Sequence, residues 1–224
     1  MSAAVQPRWR RLPEARPAQI LDAALDVFAE HGLSAARIED IAKRAGLSKG
    51  TIYLYFPNKE ALFREVIRQT VVSQIESGER DFEHATTTAT ASLERYMRRH
   101  WEFIRSPKFT PIFRLIHAEI SQHPDLARFY ADEVVTRGHR LLAAIVRRGI
   151  DQGEFRDDVD PAVAARMLSA PFVMHGIWCR HREAFTWMAR KSDDEVLAEL
   201  MHYNLSALRT PPVPKRRRRA ARGR

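Results

Sequence analysis

The stretch Arg37–Phe56, RIEDIAKRAGLSKGTIYLYF, leaves this chain few folding choices. Ile41 and Ala45 stand four apart, which puts them on one face of a short helix. Ala42 beside them is small enough to let a second helix approach closely. Gly46 follows, and glycine readily takes the left-handed conformation that a sharp turn needs. Leu47 covers the small core, Ser48 stands where a helix N-cap belongs, and Ile52 with Tyr55/Phe56 turns back inward. Two short helices, about 37–45 and 49–56, crossing at a glycine turn make a helix-turn-helix. Its second helix is the one that enters a DNA major groove.

The outward positions suit that role. Lys49 can donate to guanine O6 and N7, Thr51 can meet a base edge or a thymine methyl, and Gly50 lets backbone come close. Tyr53 and Tyr55 offer hydroxyls on flat apolar bodies to phosphate or sugar. Lys59 can reach a phosphate beside the free amides that open the following helix, and Lys43 and Arg44 add charge nearby. A helical hairpin with a solvated polar face is the bland alternative. The joint requirement for a small residue, a glycine, core spacing and outward donors is far more restrictive.

The flanking sequence reads as helix throughout. Ile20, Ala24, Val27 and Phe28 follow the spacing of an amphipathic helix that Gly32 ends. Pro57 breaks the chain after the motif, and Asn58 caps a long helix running past Ile75. A less regular stretch, 78–90, leads into a helix carrying Leu93, Met97, Trp101 and Ile104 that stops at Ser106-Pro107. Further helices are predicted over 111–122, 124–152, 161–180 and 193–208. Pro124 and Pro161 both suit a first helical turn, and Gly153–Asp158 is the clearest interior loop. No run of alternating β-branched residues calls for a sheet. The fold class is all-α: a three-helix head followed by a larger helical body.

Charge falls at the two ends. Of the net +9, the tail Lys215–Arg224 carries +7 and the first seventeen residues +3, which leaves −1 for 18–210. A basic arm over 1–16 and a Pro-rich then Arg-rich tail over 211–224 therefore read as disordered polyanion-seeking segments, with plain solubilisation the alternative. One cysteine, Cys179, cannot close an intrachain disulfide or build a Cys-rich metal site. No apolar run approaches a membrane span of about 18 residues, and no export signal stands at the N-terminus. A cytoplasmic protein with no membrane partner is expected.

From about Pro17 to Val71 the chain resembles the tetracycline-repressor-type (TetR) family of transcriptional regulators. The likeness rests on ALDVFAEHGL and on DIAKRAGLSKGTIYLYFPNKEALF. It implies a DNA-binding head over 17–71, with the helix-turn-helix at 37–56, and a ligand-binding and dimerisation body over 72–210. By resemblance, Ser48, Lys49, Gly50, Thr51, Tyr53, Tyr55 and Lys59 occupy the family's DNA-contacting positions. The chain departs from the family where a Thr-Thr pair commonly opens the second helix and Ala36-Arg37 stands instead. Arg37 is then the candidate phosphate contact, and Ser34 a candidate replacement cap.

Beyond the head the likeness is looser. It implies that the last two helices pair with their copies in a homodimer, and Val163, Met167, Phe172, Val196, Leu200 and Leu205 suit such an interface; any buried helix shows the same stripe. Trp101, Phe113, His117, Phe172, His175 and Trp178 are candidates to line a ligand cavity, with plain core the alternative. His175 with Cys179, and Glu119 with His123, are pairs four apart, but two ligands do not make a metal site. No nucleophile elbow, P-loop or dinucleotide glycine motif is present.

The resulting expectation is a homodimeric, non-enzymatic regulator without cofactor or metal. It binds a palindromic double-stranded DNA operator and answers to a small-molecule effector. A tail-driven non-specific nucleic-acid binder, and a helical ligand carrier or enzyme with a relict head, remain as alternatives.

Overall fold

Helix α1 (Arg16–Ala35) buries Ile20, Ala24, Val27 and Phe28, as their spacing predicts. Its regular turns end at Gly32, whose φ of 74° and ψ of 169° no helix interior accommodates. The structure, a computed structural model, describes residues 16–181, 183–186 and 190–209. The basic arm apart from Arg16, and the tail 211–224, lie outside the described residues.

Among the described residues there is no strand. After α1 come α2 (Ile38–Arg44), α3 (Lys49–Tyr55) and α4 (Lys59–Ile67), then α5 (Ser73–Glu83) and α6 (Ala89–Arg105). They are followed by α7 (Phe109–Ile120), α8 (Pro124–Tyr130), α9 (Arg137–Asp151), α10 (Pro161–Trp178) and α11 (Asp193–Leu208). Two predicted long helices are confirmed with a modification: a π-helical segment, Arg68–Val72, joins α4 to α5, and another, Ala131–Thr136, joins α8 to α9. Arg137, just past the second, bonds Glu79 through two nitrogens at 2.8 and 2.7 Å and Glu76 at 3.3 Å. Helix α7 begins two residues earlier than Pro111, at Phe109, because Phe109 itself packs into the interior.

The chain forms two compact units. The first holds residues up to Glu83 together with Glu102–Gly138. Here α7 and α8 share a core with α1 to α4: Ile112, Leu115, Ile116, Leu126 and Phe129 join Phe28, Ile41, Ile52 and Phe63. Phe28 and Phe63 meet edge to face at 5.3 Å. The first unit thus takes in α7 and α8 beside the residues up to Glu83.

The second unit holds His84–Trp101 and the chain from His139 onward. Its loop 153–158 is a structural knot. Glu154 accepts from the Ala89 and Thr90 amides at 2.8 and 2.9 Å and so caps α6. Phe155 is buried against Gly149, and the Arg156 amide donates to the Leu208 carbonyl at 2.9 Å. Asp160 caps α10, with Pro161 in its first turn, and Ser192 with Glu195 forms a capping box on α11.

One expectation needs correction. By length and composition, the segment Pro161–His181 is apolar enough to cross a membrane. The reason is that α10 is apolar on two sides: Ala164, Ala165, Leu168 and Phe172 face the core, while Val163, Met167 and Met174 are exposed. Arg166 still interrupts the run, so the apolar character appears only in the average.

Candidate nucleic-acid interface

The turn between α2 and α3 closes as a full Schellman motif. The Leu47 amide donates to Ala42 O at 2.9 Å and the Gly46 amide to Lys43 O at 3.2 Å, with Gly46 at φ 63°. Gln19 of α1 donates to the remaining Ala45 carbonyl at 2.7 Å. Ser48 Oγ accepts from the Thr51 amide at 3.1 Å, and Asn58 Oδ1 from the Ala61 amide at 2.7 Å. Both caps stand where the spacing predicts them. Ile52 is fully buried beneath α3, a contribution of about 1.5–3 kcal/mol from burial alone.

That anchoring leaves Lys49, Gly50, Tyr53, Leu54 and Tyr55 exposed on α3. Lys49 Nζ lies 5.9 Å from the Tyr53 ring centroid and is ion-paired with Glu39 of α2. The hydrogen bond to Glu39 raises the lysine's pKa and lowers the carboxylate's, so Lys49 is charged at neutral pH. Tyr55 and Phe56 divide the inward role that the sequence left shared: Phe56 is buried and Tyr55 is exposed. Leu54 escaped the sequence reading. It is 84% exposed, the most solvated large apolar side chain on the helix. Its signal was available: it lies four residues after Gly50, on the same face.

Other candidates already hold partners. Thr51 is half-buried, and its hydroxyl is 2.8 Å from that of Ser48. Arg44 makes a two-pronged bond with Glu30 of α1 at 2.7 and 2.8 Å, which ties α2 to α1. Lys59 donates to the Ser34 and Ala36 carbonyls at 2.8 and 3.2 Å, so in this structure it closes the end of α1. Lys43 and Arg37 are exposed. Ser34 is not the cap of α2. Arg37 occupies that position in extended conformation, without a side-chain bond to the helix.

The aromatic candidates fall into two groups. In the first unit Phe113 and His117 meet at 4.1 Å, between Phe109 and Tyr130. In the second, Trp101 meets Phe172 and stacks on His175, while Trp178 stacks on Phe185. In the Glu119–His123 pair, His123 Nε2 lies 3.3 Å from the carboxylate, which also accepts from the Leu33 amide at 2.8 Å. Among the described residues no three metal-ligating side chains cluster.

Of the interface candidates, Val163 and Met167 are exposed and Val196 and Leu200 half-buried. Phe172 and Leu205 are corrections. They are 1% and 7% exposed in the single chain, because each points into its own unit's core. Tyr203 on the same helix is 71% exposed.

Fold and outward helix together define a helical, sequence-specific DNA-binding transcription regulator. Residues 20–66 match the family described as bacterial regulatory proteins, tetR family, and residues 84–196 match the tetracyclin repressor-like C-terminal domain. The chain is 31% identical to the fatty acid metabolism regulator protein of Bacillus subtilis over 150 residues, 67% of this chain and 76% of that one. It is 29% identical to the transcriptional repressor KstR2 of Rhodococcus jostii, over 68% of this chain and 74% of that one. The solved structure of the fatty acid degradation regulator FadR from Bacillus halodurans superposes with a TM-score of 0.69 at 25% identity. It covers 86% of this chain and 99% of that one. The chain belongs to the TetR family. These relatives are transcriptional regulators.

Proposed function

We propose that this regulator is a repressor that, as a homodimer in the bacterial cytoplasm, reads a palindromic operator and loses affinity for it when a small molecule binds. The observation that carries the reading is the outer face of α3. Lys49, Gly50, Tyr53 and Leu54 share one solvated side, while Ile52 and a capped turn fix the helix from beneath. Such a face offers a bidentate donor, close backbone approach and an apolar contact to one groove. A two-fold dimer sets two such helices about 34–36 Å apart, one turn of DNA.

The dimer surface follows from α10 and α11. Val163, Met167, Ala170 and Met174 on α10, and Val196, Leu200, Tyr203 and Ala207 on α11, repeat at i, i+4, i+7 and i+11 with partial or full exposure. A helix that is apolar on both sides belongs in an interior, and a second copy supplies it. Effector release is then linkage: a ligand that prefers the chain in its DNA-free geometry weakens DNA binding by the factor that DNA weakens the ligand.

Selection of bound genomic fragments by the purified protein tests this, with a Lys49→Ala/Tyr53→Ala variant alongside. An inverted repeat enriched by the wild type and lost by the variant is expected. Fragments without a shared motif, recovered equally by both, would refute it and favour non-specific binding through the basic tail. Deletion of Lys215–Arg224 should flatten the salt dependence without changing the preferred site.

A further inference from the structure

We propose that the aromatic cluster between α6 and α10 is a binding site for an uncharged, mainly apolar molecule bearing a hydrogen-bond-accepting oxygen. The inference rests on the effector reading above and gives its ligand a chemistry. Tyr96 and His100 stack at 5.7 Å, and His100 and Trp101 both meet the Phe172 ring, at 5.9 and 6.1 Å. His175 stacks on Trp101 at 4.9 Å. Phe172 is 1% and Trp101 3% exposed.

Within this interior Trp101 Nε1 and His100 Nε2 are buried and have no hydrogen-bond partner. Native interiors satisfy nearly all such atoms, because each one left unpaired costs about 1–3 kcal/mol. Two orphans on rings that share one neighbour ask for a common partner. An indole N–H only donates, so the partner of Trp101 is an acceptor; a neutral imidazole nitrogen takes either role. A ketone, ester or hydroxyl oxygen answers both, and the surrounding rings receive its apolar body.

His100 and Tyr96 are neutral at pH 7. Burial lowers His100 to about 4 and pushes the Tyr96 phenol up to about 12. Arg99, next to His100 in sequence, has an interaction of its own. A charged ligand would shed its hydration against these rings, and neither His100 nor Tyr96 offers it a countercharge. The unpartnered Glu119 Oε2 and His123 Nε2 are different: they lie 3.3 Å from each other.

The test is calorimetric titration of the full chain at neutral pH with four matched probes: acetylnaphthalene, ethylnaphthalene, naphthoate and naphthylmethylamine. The ketone should bind about tenfold more tightly than the hydrocarbon and than either charged probe, the ratio set by one buried hydrogen bond. Trp101→Phe should cost the ketone about tenfold and leave the hydrocarbon unchanged. His100→Phe reads the second orphan in the same way, and the wild-type ranking needs no variant to fold. A hydrocarbon as tight as the ketone, a charged probe that binds best, no effect of Trp101→Phe, or no binding by any probe would overturn the proposal. If the ketone binds with the expected pattern yet the selected inverted repeat stays bound, the effector reading fails and this site stands. If another ligand releases that DNA equally from wild type and Trp101→Phe, the effector reading stands and this site fails.

Discussion

Replacing Glu119 tests how α7 holds the DNA-binding head in place. The carboxylate is 6% exposed, and one oxygen accepts the buried Leu33 amide at 2.8 Å while the other lies 3.3 Å from His123 Nε2. Leu33 directly follows Gly32, where α1 stops and the chain turns toward α2. A Cβ on Gly32 would come within 3.2 Å of the same carboxylate, so the contact is close on every side. Glu119→Ala removes the acceptor and leaves the Leu33 amide without a substitute. An orphaned buried amide costs about 1–3 kcal/mol, and hydrogen bonds to charged groups are worth about 1.5–3 kcal/mol. These count one interaction from two ends, so the expected loss is about 2–3 kcal/mol. With a urea slope of about 1–3 kcal/mol per molar, the unfolding midpoint should fall by about 0.7–3 M. Glu119→Gln keeps an oxygen for Leu33 and gives up only the charge, so about 1 kcal/mol is expected. Urea melts followed by circular dichroism decide the matter. An Ala variant within about 0.5 kcal/mol of wild type would refute the reasoning. So would a Gln variant as damaged as the Ala one, because charge rather than the acceptor would then matter.

Gly149→Ala drives a Cβ into the buried Phe155 ring, and overpacking of this kind costs about 1–3 kcal/mol or more, readable as a drop in Tm. Phe155→Leu in the same background should recover part of the loss. Met167→Asp or Tyr203→Asp places a charge on a residue that is 62% or 71% exposed in the single chain. Sedimentation should then show monomer while the far-ultraviolet spectrum stays helical; a persistent dimer would move the interface elsewhere. His100 gives a pH signature. Burial lowers it from 6.5 to about 4, so in that window the unfolded chain binds a proton that the folded chain refuses. Its contribution is complete above the ordinary value and is lost as pH falls toward about 4, by about 3 kcal/mol at most. His100→Phe should flatten this acid limb in urea melts, and an unchanged slope would count against the burial.

The sequence by itself determined the local devices of the head. Gly46, Ser48, Ile52 and Asn58 act through neighbours within a few residues, so spacing alone foretold the turn, both caps and the buried face of α3. The same holds for the order of helices, since apolar periodicity and proline positions are local signals. The tertiary structure alone decided what depends on residues far apart in the chain. Lys59 and Arg44 looked like free cations until the ends of α1 appeared beside them as the Ser34 and Ala36 carbonyls and the Glu30 carboxylate. Leu205 and Tyr203 are two residues apart with similar apolar bulk, and only the packing of α11 turns one inward and leaves the other in solvent. Glu119 read as half of a weak metal pair, yet its partner is a backbone amide 86 residues away. A one-dimensional pattern records which face of a helix is apolar; which surface covers that face is settled only when distant segments meet and compete to bury it.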